Sequence, residues 1–254
     1  MTTDEGAVFG MPVYGELDSR VERLRGGLIV SCQAYPGEPM NHAATMTQVA
    51  ASVALGGAAA VRVQGPEVVA QVRETVAIPV IGLWKRGDAP VFITPGLDDA
   101  LAVYQAGADV VALDGTSRTR PDGLTLEQTI RRFKQQADAP VMADCGSLDD
   151  ARRAEDAGAD LIGTTLSGYT GARPLIDGPD FELVSAIAER CSVPVVLEGR
   201  VETPAHMREG FAAGAFAVCV GTAITHPGRI TARFVRQLEQ MTASTEGRQT
   251  LWPA

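Results

Sequence analysis

The chain has 254 residues, of which 45% are hydrophobic and 5% aromatic, and carries a formal net charge of -9. That hydrophobic share suffices for a substantial core in one large domain, while the acidic balance argues against a general grip on nucleic acid or anionic membrane, which needs clustered Lys and Arg. No apolar run of about 18 residues occurs, and the start MTTDEGAVFG lacks the basic, apolar, small-residue order of a secretory signal, so the chain reads as cytoplasmic.

An N-terminal extension occupies residues 1–19, and a short helix around 18–25 is expected to plug the bottom of the fold. Eight short apolar or β-branched runs follow, each with a helical candidate behind it. GLIVSCQ (27–33) precedes a helix over 43–56, AAAVRVQ (58–64) one over 66–75, PVIGLWK (79–85) one over 97–106, and DVVALDG (109–115) one over 125–137. PVMADCG (140–146) precedes 148–157, LIGTT (161–165) precedes 179–190, PVVLEGR (194–200) precedes 203–213, and AFAVCVG (215–221) precedes 228–240. The runs are continuously apolar rather than alternating, the pattern of strands buried on both faces of a parallel sheet. Parallel strands need crossovers, which the helices supply.

Punctuation repeats with the same rhythm. Ala-Gly-Ala stands at 106–108, 157–159 and 213–215, where glycine ends a helix in the left-handed conformation, and Pro-Val opens a strand at 79, 140 and 194. Eight such units in one domain of this size predict an α/β fold, a (β/α)8 TIM barrel over 1–254, ending in a polar tail at 242–254. The longest connection, LSGYTGARPLIDGP (166–179), has the length of a lid.

In such barrels the chemistry projects from the C-terminal ends of the strands. Those ends carry Gln33, Arg62 with Gln64, Lys85 with Arg86, Asp114, Asp144, Thr164 with Thr165, Glu198 with Arg200, and Gly221 with Thr222. Lys85 directly follows VIGLW, so desolvation and a neighbouring arginine are expected to lower its pKa and make it a base near neutral pH. Its bland alternative is a lysine reaching out from a strand end. Glu198 ends PVVLE and either carries a proton or serves as an ion-pair partner of Lys85 or Arg62; Asp144 orients substrate hydroxyls, tunes Lys85, or is structural. Asp114 reads as structural, tying down the loop with Arg118 and Arg120. Gly221 opens TAITHPGR, and its backbone N–H groups with the Glu198-Gly199-Arg200 turn form a candidate phosphate cradle after strands seven and eight.

Other chemistries have little support. Cys32, Cys145, Cys191 and Cys219 are far apart with no C-x-x-C pair, and His42, His206 and His226 have no ligand spacing and read as surface residues, so no disulfide or metal site is expected. Neither a P-loop nor a G-x-G-x-x-G turn is present. The pair Asp149-Asp150 reads as helix capping.

The stretches GGLIVSCQAYPGEPM (26–40), AVRVQG (60–65), PVIGLWKR (79–86), VFIT (91–94), R-x-RP (118–121), VMADCG (141–146), IGTTLSGYT (162–170), EGR (198–200) and GTAIT (221–225) resemble the N-acetylmannosamine-6-phosphate 2-epimerase family. The resemblance implies a cofactor-free isomerase of amino-sugar and sialic-acid catabolism that interconverts N-acetyl-D-mannosamine 6-phosphate and its gluco epimer. It implies Lys85 and Glu198 as the proton-transfer pair, with Gln33, Arg62, Asp144, Thr164, Thr165 and Tyr169 toward the sugar and Gly199, Arg200, Gly221, Thr222 and His226 toward the phosphate. The partner is thus a small sugar phosphate, and a homodimer is a resemblance-based expectation. One departure stands out: His226 replaces an arginine phosphate contact, which makes phosphate binding weaker or pH-dependent, or shifts its support to Arg200 or Arg229. A Schiff-base aldolase using Lys85 is the competing enzymatic reading, and a non-catalytic amino-sugar-phosphate binder the non-enzymatic one.

Overall fold

In the computed structural model, which describes residues 12–246, eight parallel strands pair in sequence order and close on themselves through β1 and β8. Residues 1–11 and 247–254, hence most of the N-terminal extension and the end of the tail, lie outside the described residues. In chain order the elements are α1 (Ser19–Glu22), β1 (Leu28–Cys32), α2 (Ala43–Leu55), β2 (Ala60–Gln64), α3 (Pro66–Thr75), β3 (Val80–Leu83), α4 (Leu97–Gln105), β4 (Val110–Asp114) and α5 (Leu126–Lys134). They continue with β5 (Val141–Asp144), α6 (Leu148–Asp156), β6 (Leu161–Gly163), α7 (Phe181–Arg190), β7 (Val195–Glu198), α8 (Pro204–Ala212), β8 (Ala217–Val220), α9 (Thr222–Thr225) and α10 (Pro227–Glu246). This is the TIM barrel expected from the sequence.

Local signals explain the boundaries. The helix starts use side-chain caps: Thr125, Ser147, Asp180 and Thr203 each accept the N–H of the third helical residue. Gly107, Gly158 and Gly214 end their helices at φ +100°, +95° and +97°, which is why Ala-Gly-Ala recurs before strands. Two aspartates then pin strand starts. Asp109 Oδ2 accepts from Val80 N at 2.8 Å and from Arg73 Nη1 at 2.5 Å. Asp160 Oδ2 accepts from Val141 N at 2.8 Å, while its Oδ1 accepts from Lys134 Nζ at 2.9 Å.

The core divides by strand parity. Val30, Val61, Val63, Val111, Leu113, Val141, Val195, Leu197 and Val218 pack outward against the helices, whereas Ile29, Ala60, Ile81, Leu83, Val110, Ala112, Met142, Leu161, Val196 and Cys219 fill the barrel. Val21 and Leu24, both fully buried, join this inner cluster with Phe216, so the first helix plugs the barrel as expected. One boundary differs: α10 runs to Glu246, beyond the expected end at 240 and into the expected tail. No Gly or Pro interrupts TASTE before Gly247, and these residues extend a helix once it is started.

Candidate active site

The parity that places Ile29, Ala60, Ile81, Met142, Val196 and Ala217 inside carries forward in steps of two along each strand. The inward column of β2 reaches Arg62, that of β3 reaches Lys85, that of β5 reaches Asp144, and that of β7 reaches Glu198. Strand alternation therefore gathers residues from four separate strands at one barrel mouth.

Arg62 is the centre of this group. Its side chain is 2% exposed; Nη2 donates to Asp144 Oδ2 at 2.5 Å and Nη1 donates to Glu198 Oε1. Asp144 is fully buried and Glu198 is 11% exposed. Both carboxyl groups share this one guanidinium, and Lys85 lies within electrostatic reach of both. Thr165 Oγ1 donates to Asp144 Oδ1 at 2.6 Å, and Thr164 Oγ1 donates to the Glu198 carbonyl while accepting Glu198 N, which fixes the end of β7. Burial pushes the Asp144 carboxyl up from the usual range and the Glu198 charge adds to this, with Arg62 and the Thr165 hydroxyl pulling the other way.

Lys85 lies two residues beyond β3, and its backbone is clamped by a segment that folds back beside it. Lys85 bridges antiparallel to Ile93, Arg86 N donates to Phe92 O at 2.9 Å, and Thr94 N donates to Trp84 O at 2.7 Å. Thr94 adopts φ +45°, rare for a β-branched residue, and its hydroxyl accepts Trp84 N and donates to Ala112 O. Burial first, then the Arg62 charge, lower the Lys85 pKa to about 8, against the opposing pull of Glu198 and Asp144. The stretch VFIT holds this clamp, a role that its apolar composition did not signal.

Three side-chain atoms of the group, Gln33 Oε1, Arg62 Nε and Glu198 Oε2, are buried without a hydrogen-bond partner among the described residues. Gln33 spends only its amide nitrogen, donating to Ser31 Oγ at 2.8 Å. Unsatisfied buried polar groups are uncommon in folded proteins and call for a reason; here they leave hydrogen-bonding capacity unused on side chains at the strand ends. A cavity of about 570 Å³ lies elsewhere, between the loop after β4 and α6, and none of these groups lines it. Asp114 has the structural role expected of it, accepting Arg118 Nη2 at 2.6 Å and offering its carbonyl to Arg120. Asp150 likewise caps α6, accepting from Gly146 N and Ser147 Oγ.

The candidate phosphate residues are less uniform. Gly199 (φ +110°) and Arg200 (φ +58°) turn the chain after β7, and Gly221 and Thr222 begin α9, which is anchored to β1 by Thr225 Oγ1 donating to Ser31 O at 2.8 Å. A Cβ on Gly221 would stand 3.3 Å from the Ser31 Cβ, so glycine permits this close approach. The Arg200 guanidinium, however, donates to Gly178 O at 2.6 Å and Ser167 O at 3.0 Å, tying the long loop after β6 to the end of β7. Tyr169 is 59% exposed, with its ring 5.6 Å from the Arg200 guanidinium carbon, and does not join the Arg62 group. Nor is His226 a surface residue: it is 8% exposed, with Nδ1 3.7 Å from Glu38 Oε2 and its ring 5.7 Å from that of Tyr35. The loop after β1 closes over it, which no local pattern around residue 226 revealed. Among the described residues, no His, Cys, Asp or Glu cluster is arranged to hold a metal, and all four cysteines are buried thiols.

A family model described as "Putative N-acetylmannosamine-6-phosphate epimerase" matches residues 46–240. The chain belongs to this family. Relatives named as putative N-acetylmannosamine-6-phosphate 2-epimerases include one from Cutibacterium acnes, 55% identical over 87% of this chain and 97% of the relative. Another, from Caldanaerobacter subterraneus, is 43% identical over 87% of this chain and 94% of the relative. Among solved structures, the N-acetylmannosamine-6-phosphate 2-epimerase from Clostridium perfringens superposes with a TM-score of 0.83 at 33% identity, covering 89% of this chain and 99% of that one. The family match spans Arg62, Lys85, Asp144 and Glu198, whereas Gln33 and Tyr35 precede it.

Proposed function

We propose that the barrel mouth interconverts N-acetyl-D-mannosamine 6-phosphate and N-acetyl-D-glucosamine 6-phosphate by moving the proton on C2. One observation carries the reading beyond family membership. Lys85 and Glu198 come from β3 and β7, four strands apart in a closed eight-stranded barrel, and so face each other across the mouth. Inverting a carbon needs one group on each side of it.

The C2–H bond is acidic only beside a free C1 aldehyde, so the open-chain sugar reacts. In one direction the Glu198 carboxylate takes the C2 proton, the bonding electrons move to the C1 oxygen as an enolate, and the Lys85 ammonium returns a proton to the opposite face. The reverse direction starts from neutral Lys85 and protonated Glu198. Both directions need one proton shared by the pair. Arg62 and Asp144 fix the carboxylate, and Gln33 Oε1 and Arg62 Nε, free of protein partners, support contacts to the N-acetyl group and sugar oxygens. Thr164 and Thr165 act through Glu198 and Asp144. Backbone groups at Gly199, Gly221 and Thr222, with His226 and the charge of Arg200, are the proposed phosphate end, and the cytoplasm is the proposed location.

The test is proton NMR of the purified protein with N-acetylmannosamine 6-phosphate in deuterated water, with Lys85→Ala as control. Appearance of the gluco epimer carrying deuterium at C2, absent in the control, is expected. Covalent trapping of substrate on Lys85 by borohydride would instead establish a Schiff-base lyase.

A further inference from the structure

Tyr35 lies in the loop between β1 and α2, and its ring faces the lysine: Lys85 Nζ is 4.9 Å from the ring centroid. Its placement is held from two directions. Tyr35 N donates to Glu38 Oε2 at 2.8 Å, and the His226 ring packs against the Tyr35 ring at 5.7 Å between centroids. We propose that Tyr35 is a positioning residue for the proton transfer, its ring face holding the Lys85 ammonium at the mouth and governing how readily that ammonium gives up its proton. This rests on Lys85 being one of the two proton carriers, although its test needs no turnover.

The physical basis is the quadrupole of the aromatic ring, which attracts an ammonium but not a neutral amine. From β2 the Arg62 charge drives the proton off Lys85, as does burial, while Asp144 from β5 and Glu198 from β7 hold it on. Against Tyr35 itself stand Glu38 and His226. Tyr35 joins the groups that hold the proton. Were Lys85 neutral at rest with Glu198 ionised, the pair would lack the proton that must cross C2.

The sequence provides a clean readout, because the chain has two lysines, Lys85 and Lys134, and Lys134 pairs with Asp160 on the outside of the barrel. Protein labelled with 13C at the lysine Cε therefore gives two titrating NMR signals, and a Lys134→Arg variant identifies them. Tyr35→Phe keeps the ring, and its Lys85 midpoint should match the parent. Tyr35→Leu keeps apolar cover but removes the ring, and its Lys85 midpoint should fall by on the order of one pH unit. Tyr35 is 45% exposed on a loop, so both replacements fit without disturbing the core. An unmoved midpoint in the leucine variant overturns the proposal, and so does a rise, which would make Tyr35 mere cover against water. An equal fall in both variants overturns it by assigning the effect to the hydroxyl. Because the titration uses substrate-free protein, a fall in leucine alone, without epimerisation by any variant, would establish the ring's hold on the Lys85 ammonium and refute the proposed reaction.

Discussion

Replacing Arg62 with methionine removes the shared counter-ion of two buried carboxylates while keeping much of the side chain's volume. The partners are Asp144, fully buried, and Glu198, 11% exposed, so neither recovers its lost interaction from bulk water. Breaking a buried pair by removing one member costs roughly 3–5 kcal/mol. In a domain of this size each kcal/mol lowers the melting midpoint by about 2–4 °C, giving a fall of roughly 6–20 °C. The pH dependence adds a sharper criterion. Burial already raises Asp144, and without Arg62 its folded-state pKa rises further. A carboxyl whose folded pKa exceeds its unfolded value favours folding at low pH and loses that contribution as pH rises through the folded pKa. The deficit of Arg62→Met relative to the parent should therefore widen between pH 5 and pH 8 and shrink when Asp144→Asn is added. Thermal denaturation followed by circular dichroism at both pH values measures this. A midpoint within about 2 °C of the parent throughout, or a deficit that narrows with rising pH, would refute the assignment of Arg62 as the buried counter-ion.

Two further outcomes are expected. Because Lys85 and Glu198 must share one proton in either direction, kcat/KM should be bell-shaped in pH and alike for both epimers, with its alkaline limb near the lowered Lys85 value of about 8; a rate still rising at pH 9 would contradict the shared proton. Arg200→Ala should release the loop after β6 and speed chymotryptic cleavage after the exposed Tyr169 about tenfold, since two charge-assisted hydrogen bonds to Gly178 O and Ser167 O are lost. Unchanged cleavage would show that the loop is held by the Ser167, Arg173 and Asp180 contacts alone.

What the sequence made legible follows from what is local. Apolar runs and Gly or Pro punctuation are short-range features, and they placed all eight strands and the helices between them. Strand-end residues could be read because a strand's period of two carries inward parity from its apolar core to its last polar residue. Long-range side-chain reach was not legible. Arg200 stands in a phosphate-like turn yet spends two donors on a loop more than twenty residues earlier, and Tyr169 lies in a distinctive motif but faces solvent beside it. Tyr35 and the clamp at Thr94 were missed for the opposite reason: nothing in YPGEP or VFIT reveals that each folds over Lys85.

The strand starts pinned by Asp109 and Asp160 lie at the end of the barrel opposite Lys85 and Glu198. This separation bears on how such a protein can diverge. Substitutions in the loops after the strands can retune which sugar is accepted while leaving the foundations of the sheet untouched, so specificity can drift at little risk to folding. Arg62 is the exception, because one side chain there serves both the scaffold and the chemistry, and a lineage that altered it would have to find a new charge balance before it could explore a new reaction.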